Sequence, residues 1–167
     1  MLSNVVSRPV TPEDVPFISA LHESVFGPGR FARTAYRVRE ELPDATVSPF
    51  CRLIANGERL IAALRMSEIK IGGKAGALLL GPIVVAPEYA NQGFGRKLIR
   101  ETLDAARAAG VKLVVLIGDE PYYGRLGFRP VPMGAITFPG PVDPGRILAI
   151  ELEDGALTGF SGAVSGR

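Results

Sequence analysis

Residues 91–96 read Asn91-Gln92-Gly93-Phe94-Gly95-Arg96. An apolar run precedes them and an amphipathic stretch follows, so they form a turn from a strand into a helix. A helix N-terminus presents unpaired N–H groups and a partial positive charge, and so attracts phosphate. Glycines at 93 and 95 remove the side chains that would hold a pyrophosphate off the backbone. Arg96 and Lys97 add cations at the same spot. A tight turn with glycines used only for packing fits the same residues. Two phosphate motifs are excluded by residue type. A P-loop ends in Gly-Lys followed by Ser or Thr, whereas this turn continues Gly-Arg-Lys. A dinucleotide fingerprint needs a third glycine where Leu98 stands.

The surrounding pattern supplies the elements that must hold this turn. Residues 4–9 read as a short strand. Thr11-Pro12-Glu13-Asp14 is a helix-start signal, with Thr11 or Asp14 as the cap and Pro16 in the first turn. Val15, Ile18, Leu21 and Val25 then make one apolar stripe. A second helix fits residues 31–41, ended by Pro43. Strands are predicted over 50–56, 59–71 and 75–86, with Gly72-Gly73 as a hairpin turn. Residues 93–109 form a helix with Phe94, Leu98, Leu103 and Ala106 near one face, stopped by Gly110. Residues 112–118 are almost continuously apolar, which suits a strand buried on both faces and parallel to the one before the helix. A short helix over 120–126, a proline-interrupted strand over 128–138 and a final strand over 146–152 complete the pattern. This is one α/β (α+β) domain over residues 1–154, and 155–167 reads as a flexible, glycine-rich tail.

Composition narrows the function classes. The 167 residues are 47% apolar, enough for a core and about the length of one domain. Glycine (20) and proline (14) predict many turns and short elements. Nineteen basic against seventeen acidic side chains leave a net charge of +2, which calls for no nucleic-acid partner. No apolar run approaches the roughly 18 residues of a membrane span, and no signal peptide is expected from the first residues. A single cysteine, Cys51, and a single histidine, His22, cannot build a zinc cage, so no metal is expected. The same count disfavours a Cys-His hydrolase. Cys51 reads as a small core residue in a protein of the reducing cytoplasm.

Three stretches together resemble the GCN5-related N-acetyltransferase (GNAT) superfamily. They are Leu80-Gly81-Pro82-Ile83-Val84-Val85-Ala86-Pro87-Glu88-Tyr89, then Asn91-Gln92-Gly93-Phe94-Gly95, then Tyr122-Tyr123-Gly124-Arg125-Leu126-Gly127-Phe128. The combination is most similar to the bacterial subgroup of YhbS-like acetyltransferases, and it extends over about residues 4–153. The family loop usually begins with Gln or Arg three residues before its first glycine; here that position is Ala90. The resemblance implies a mixed, mostly antiparallel sheet with a central splayed parallel strand pair and flanking helices. It implies acetyl-CoA (or CoA) as cosubstrate, held by Ile83, Val84, Val85, Asn91, Gln92, Gly93, Phe94, Gly95, Arg96 and Tyr123. The pantetheine arm would lie along the strand at 83–85 like an added strand. Gly81-Pro82 suits a local break there, because proline cannot donate to a ladder and glycine often marks a bulge.

The implied reaction is direct attack by a primary amine of a small-molecule or peptide acceptor on the thioester, in a ternary complex. Tyr123, four residues before Gly127, matches the family tyrosine that protonates the leaving sulfur. Glu68 and Asp119 are candidate general bases, with Glu120, Glu23 and His22 behind them; a water chain is the alternative. Arg30, Arg33, Arg37 and Arg39 could draw an acidic acceptor or phosphates, or form a solvated helix face. A homodimer is compatible with the resemblance. Two other readings fit the residues: a GNAT-fold module that binds an acyl-CoA without turnover, and a structural domain with a tight turn at 93–95.

Overall fold

The computed structural model describes residues 5–26, 48–140 and 142–166. The expected helix at 31–41, with Arg30, Arg33, Arg37 and Arg39, lies outside them.

The chain opens with β1 (Val5–Pro9), a 3-10 turn at Pro12–Asp14 and helix α1 (Val15–Phe26). Thr11 is the cap of that turn: its backbone N–H and hydroxyl both donate to the Asp14 carboxylate. Asp14 also takes two hydrogen bonds of 2.8 Å from the Arg8 guanidinium. A three-strand meander follows: β2 (Arg52–Asn56), β3 (Arg59–Ile71) and β4 (Lys74–Val85). Helix α2 (Phe94–Ala108) then leads to β5 (Leu113–Ile117). Gly110, at φ +86°, ends α2, and the Val111 N–H returns to the Ala106 carbonyl. A four-residue helix α3 (Glu120–Tyr123) precedes β6 (Arg129–Pro130), β7 (Ile136–Thr137), β8 (Ile147–Glu151) and β9 (Gly162–Ser165).

The sheet runs β1-β2-β3-β4-β5-β8-β6. All of these neighbours are antiparallel except β4 and β5. That parallel pair holds for only three residues, Ala77–Leu79 against Leu113–Val115. Beyond Leu79 no strand among the described residues pairs with that edge of β4. The opposite edge stays paired, with Ile83, Val84 and Val85 facing Leu64, Ala63 and Ala62 of β3. Between Leu64–Ile83 and Met66–Leu80, one β3 residue (Arg65) stands against two on β4, Gly81 and Pro82. The expected break at Gly81-Pro82 is therefore a bulge, with Gly81 at φ +126°.

Each face of the sheet buries its own core. Leu98 and the row Ile99, Leu103 and Ala106 of α2, spaced four and three apart, pack on Leu64, Met66, Leu78 and Leu80. On the other face, Ile18 and Leu21 of α1 pack against Leu53, Ala63 and Val84. Farther along that same face, Ile69, Leu79 and Val115 pack with Ile136, Phe160 and Val164. Val25, expected in the α1 stripe, is exposed, and His22 is buried instead.

Two expectations are corrected. The proline-interrupted strand over 128–138 reduces to β6 and β7, two residues each, because Pro130, Pro132 and Pro139 carry no N–H for a ladder. The segment after residue 155 is not a loose tail. A 3-10 turn at Ala156–Gly159 leads into β9, which pairs with β3 and, in parallel, with β7. Phe160 is 2% exposed, and the Lys74 ammonium stands 4.6 Å from its ring centroid. Glycines there serve close approach rather than looseness. A Cβ on Gly162 would lie 2.8 Å from the Gly72 Cα, and one on Gly72 would lie 2.1 Å from the Ser161 carbonyl oxygen.

Phe160→Ala should lower unfolding stability by about 3–5 kcal/mol in a denaturant melt; a change near zero would mean the turn leading into β9 adds nothing to the core. The Arg8 hydrogen bonds, followed by those from Thr11, hold the Asp14 carboxyl well below the usual carboxylate range. A depressed folded pKa stabilises above the ordinary carboxylate pKa of about 4 and is lost as pH falls through the folded value. The Tm gap between wild type and Asp14→Ala should therefore narrow as pH drops below about 4.

Candidate active site

The glycine turn closes one end of the opening between β4 and β5. After β4 the chain makes a 3-10 turn at Pro87–Tyr89 and enters α2 through Asn91 at φ +62° and Gly93 at φ +86°. The left-handed backbone at Gly93 is one that a side chain would strain. Gly93 is the α2 cap and brings no side chain to it; the first intrahelical bond is from the Lys97 N–H to the Gly93 carbonyl. The N–H groups of Phe94, Gly95 and Arg96 therefore precede the helical ladder and point out of the helix end.

The turn is held from outside. The Arg59 guanidinium pairs with Glu88 at 2.5 Å and lies 5.9 Å from the Tyr89 ring centroid. The Tyr89 ring meets Phe94 edge-on at 6.1 Å. That exposed ion pair, through the Arg59 hydrogen bond, also holds the Glu88 carboxyl below its ordinary range. The Gln92 amide turns back toward the Glu88 carbonyl, 3.5 Å away.

The two cations after the turn differ. Lys97 pairs with Glu101 at 3.1 Å, one helical turn on, whereas Arg96 is exposed beside the turn. Glu101 also accepts a hydrogen bond from Ser7 and lies 3.6 Å from the Arg52 guanidinium. Burial pushes the Glu101 carboxyl up, but the bonds from Ser7 and Lys97 and the charges of Lys97 and Arg52 outweigh it, and the net direction is down. This cluster ties α2 to β1 and β2 and so fixes where the helix end points.

Gly95 is the point of closest approach. It is buried, and a Cβ there would lie 3.7 Å from both Ile83 Cδ1 and Val85 Cγ2 and 3.3 Å from the Tyr122 hydroxyl. Ile83 and Val85 thus face α2, while Val84 is buried on the α1 face.

Tyr123 is half-buried on the other lip of the opening. Its ring lies on Gly118, just past β5, where a Cβ would come within 2.4 Å of Tyr123 Cε2. Phe128 meets it edge-on at 6.1 Å and Tyr122 at 4.8 Å. Gly118 carries no motif of its own and the sequence reading assigns it nothing, whereas Tyr122 opens the third family-like stretch with no role of its own assigned above. The signal for Gly118 was its place between an apolar strand and a tyrosine pair.

The candidate bases are not brought together. Asp119 has a side chain 75% exposed and lies 3.4 Å from the Arg146 guanidinium. Glu68 pairs with Leu78 and lines an open groove of about 460 Å³ with Lys70, Gly76 and Val111, on the α2 face. That groove sits by the start of β5 and Asp119 follows its end, so about 16 Å of strand separates them. The α1 face holds a polar set instead. Ser67, opposite Leu79, is 2% exposed, His22 is 4% exposed, and Arg65 lies opposite the bulge between Ala63 and Ser67. Strand alternation places Arg65 and Ser67 on that face, between its two apolar clusters. Among the described residues no group of His, Cys, Asp and Glu could hold a metal ion.

Residues 7–131 match the family model described as an acetyltransferase (GNAT) domain. The uncharacterized N-acetyltransferase YjhQ of Escherichia coli K12 is 30% identical over 132 residues, 77% of this chain and 71% of that protein. The crystal structure of the E. coli GNAT family N-acetyltransferase YhbS, in complex with CoA, superimposes with a TM-score of 0.81 at 26% identity, covering 98% of this chain and 90% of that one. A GNAT family acetyltransferase from Brucella melitensis, in complex with acetyl-CoA, gives a TM-score of 0.66 at 29% identity over 87% and 94% of the two chains.

Gly118→Ala should displace the Tyr123 ring, with an overpacking loss of about 1–3 kcal/mol in a thermal or denaturant melt. Unchanged stability and an unchanged near-ultraviolet tyrosine signal would show that the ring does not rest on Gly118.

Proposed function

This chain belongs to the GNAT acetyltransferase family, and from that premise we propose that it binds acetyl-CoA in the β4–β5 opening and acetylates a primary amine there. The observation that carries the reading is the β4 edge beyond Leu79, a buried strand edge with no strand partner among the described residues. Buried backbone N–H and C=O groups need partners. The amides of a pantetheine arm supply them by adding along the edge as a strand would. CoA in the YhbS structure and acetyl-CoA in the Brucella structure support the same occupant.

The chain's own groups divide the work. The N–H groups at 94–96 and Arg96 bind the pyrophosphate, and Gly93 and Gly95 let it reach the backbone. That contact is made by the backbone, so Ala90 at the first position of the family loop leaves it in place. The acceptor amine comes from the α1 face, where Arg65 and Ser67 lie between the two apolar clusters. As the amine nitrogen bonds to the thioester carbonyl carbon, the C–S bond breaks, and the Tyr123 hydroxyl protonates the departing sulfur. The proton lost by the amine leaves through water. Asp119 is exposed and paired with Arg146, and Glu68 lies on the α2 face, so neither is set beside the incoming amine.

Titration with CoA and acetyl-CoA should raise Tm in a concentration-dependent way, as for any ligand that binds only the folded state. Gly95→Glu should abolish that shift, because a side chain and a negative charge then enter the phosphate position. Tyr123→Phe should keep the shift but lower thiol release with an amine acceptor by about 10²-fold or more. An absent shift in wild type, or an unchanged one in Gly95→Glu, overturns the cofactor site. A shift without thiol release across amino acids, polyamines, amino sugars and peptides would leave a CoA-binding module.

A further inference from the structure

Tyr122 is a residue that the transfer reaction, as derived above, leaves unused. It is 40% exposed, next to the half-buried Tyr123, and it belongs to α3 on the β5 side of the opening. Its hydroxyl reaches the other side, 3.3 Å from where a Cβ on Gly95 would stand, beside the α2 end and the Ile83 and Val85 side chains of β4. The side chain therefore bridges the two lips of the opening on the α2 face. It can do so because residue 95 has no side chain to fill that space.

The bridge is braced. The Tyr122 ring meets Tyr123 edge-on with an interplanar angle of 78°, and Tyr123 meets Phe128 at 75°. Phe128 is fully buried. The three rings form a chain with its inner end fixed in the core and its outer end over the cleft mouth. Edge-to-face contacts of this kind hold the rings in a set relative orientation.

We propose that Tyr122 is a cofactor-positioning residue that closes over the pantetheine arm; this rests on the cofactor reading above. An arm laid along the free edge of β4 runs through the space between the lips, under this ring. The apolar body of the phenol covers the arm's methylene and gem-dimethyl groups. The hydroxyl stands at the α2 end, over Gly95, and the ring is what covers the arm. Tyr122 thereby restrains the arm from the side opposite the acceptor, and its role differs from that of Tyr123, which acts on the sulfur.

The test compares CoA with adenosine 3′,5′-bisphosphate, which carries the nucleotide but no arm. Affinities for both are measured by calorimetry on the full chain, as wild type, Tyr122→Ala and Tyr122→Phe. Tyr122→Ala should weaken CoA about tenfold or more, and the bisphosphate less than about twofold. Tyr122→Phe, which keeps the ring, should stay within about threefold of wild type for CoA. The bisphosphate and the melting curve of the free protein report that the variant is folded. An alanine variant that binds CoA as tightly as wild type, or more tightly, overturns the proposal. So does an equal loss for both ligands, which would mean a general distortion. Wild type without affinity for CoA would instead overturn the cofactor site itself.

Discussion

The parallel pairing of β4 with β5 lasts three residues, and the rest of the structure is arranged around that short contact. A sheet interior normally satisfies every backbone group on both edges of each strand. Here β4 keeps one edge paired with β3 on both sides of its bulge, while β5 is fully engaged with β8. Each strand is thus anchored by its outer neighbour, and the two can part without unravelling. The bulge at Gly81-Pro82 lies where the parting begins, and the helix that follows β4 brings its N-terminus back to the same edge. Open edge, bulge and helix end are one feature seen from three sides.

Holding that feature open requires support on both faces. The α2 side is fixed by the apolar row from Leu98 to Ala106 and by the Glu101 cluster with Ser7, Arg52 and Lys97. The opposite face is supported by two separate apolar clusters, under α1 and under β7 and β9. The polar residues Arg65 and Ser67 interrupt the apolar surface between them. Such an interruption forgoes burial of apolar area, which otherwise favours a continuous core.

Much of this was legible in the residues. The meander, the α2 stripe with its Gly110 stop and the apolar β5 follow from periodicity and turn chemistry. Gly93 and Gly95 stand out because small residues at a helix N-terminus suit either a phosphate or a tight packing turn. Three things were not legible. The ordering of the C-terminal segment depends on Phe160 and Val164 meeting partners some 90 residues earlier, while the local composition, rich in glycine, points the other way. The seat of Tyr123 on Gly118 and the approach of Tyr122 to Gly95 needed distances: the first is local but carries no period, and the second runs across the opening. Glu68 on the third strand and Asp119 after the fifth read alike as candidate carboxylates; the face of β3 and the ion pair with Arg146 give them different surroundings.

Gly72 and Gly162 meet backbone to backbone where β9 joins the β3–β4 hairpin, and the Gly72 N–H donates to the Ala163 carbonyl at 2.9 Å. Neither position has room for a methyl group, and both hold positive φ. The two are therefore coupled as a unit under mutation. Changing one forces the strands apart and removes the reason for the other, so their effects will not add. In a randomised library of this chain, substitutions at these positions should be tolerated together or not at all.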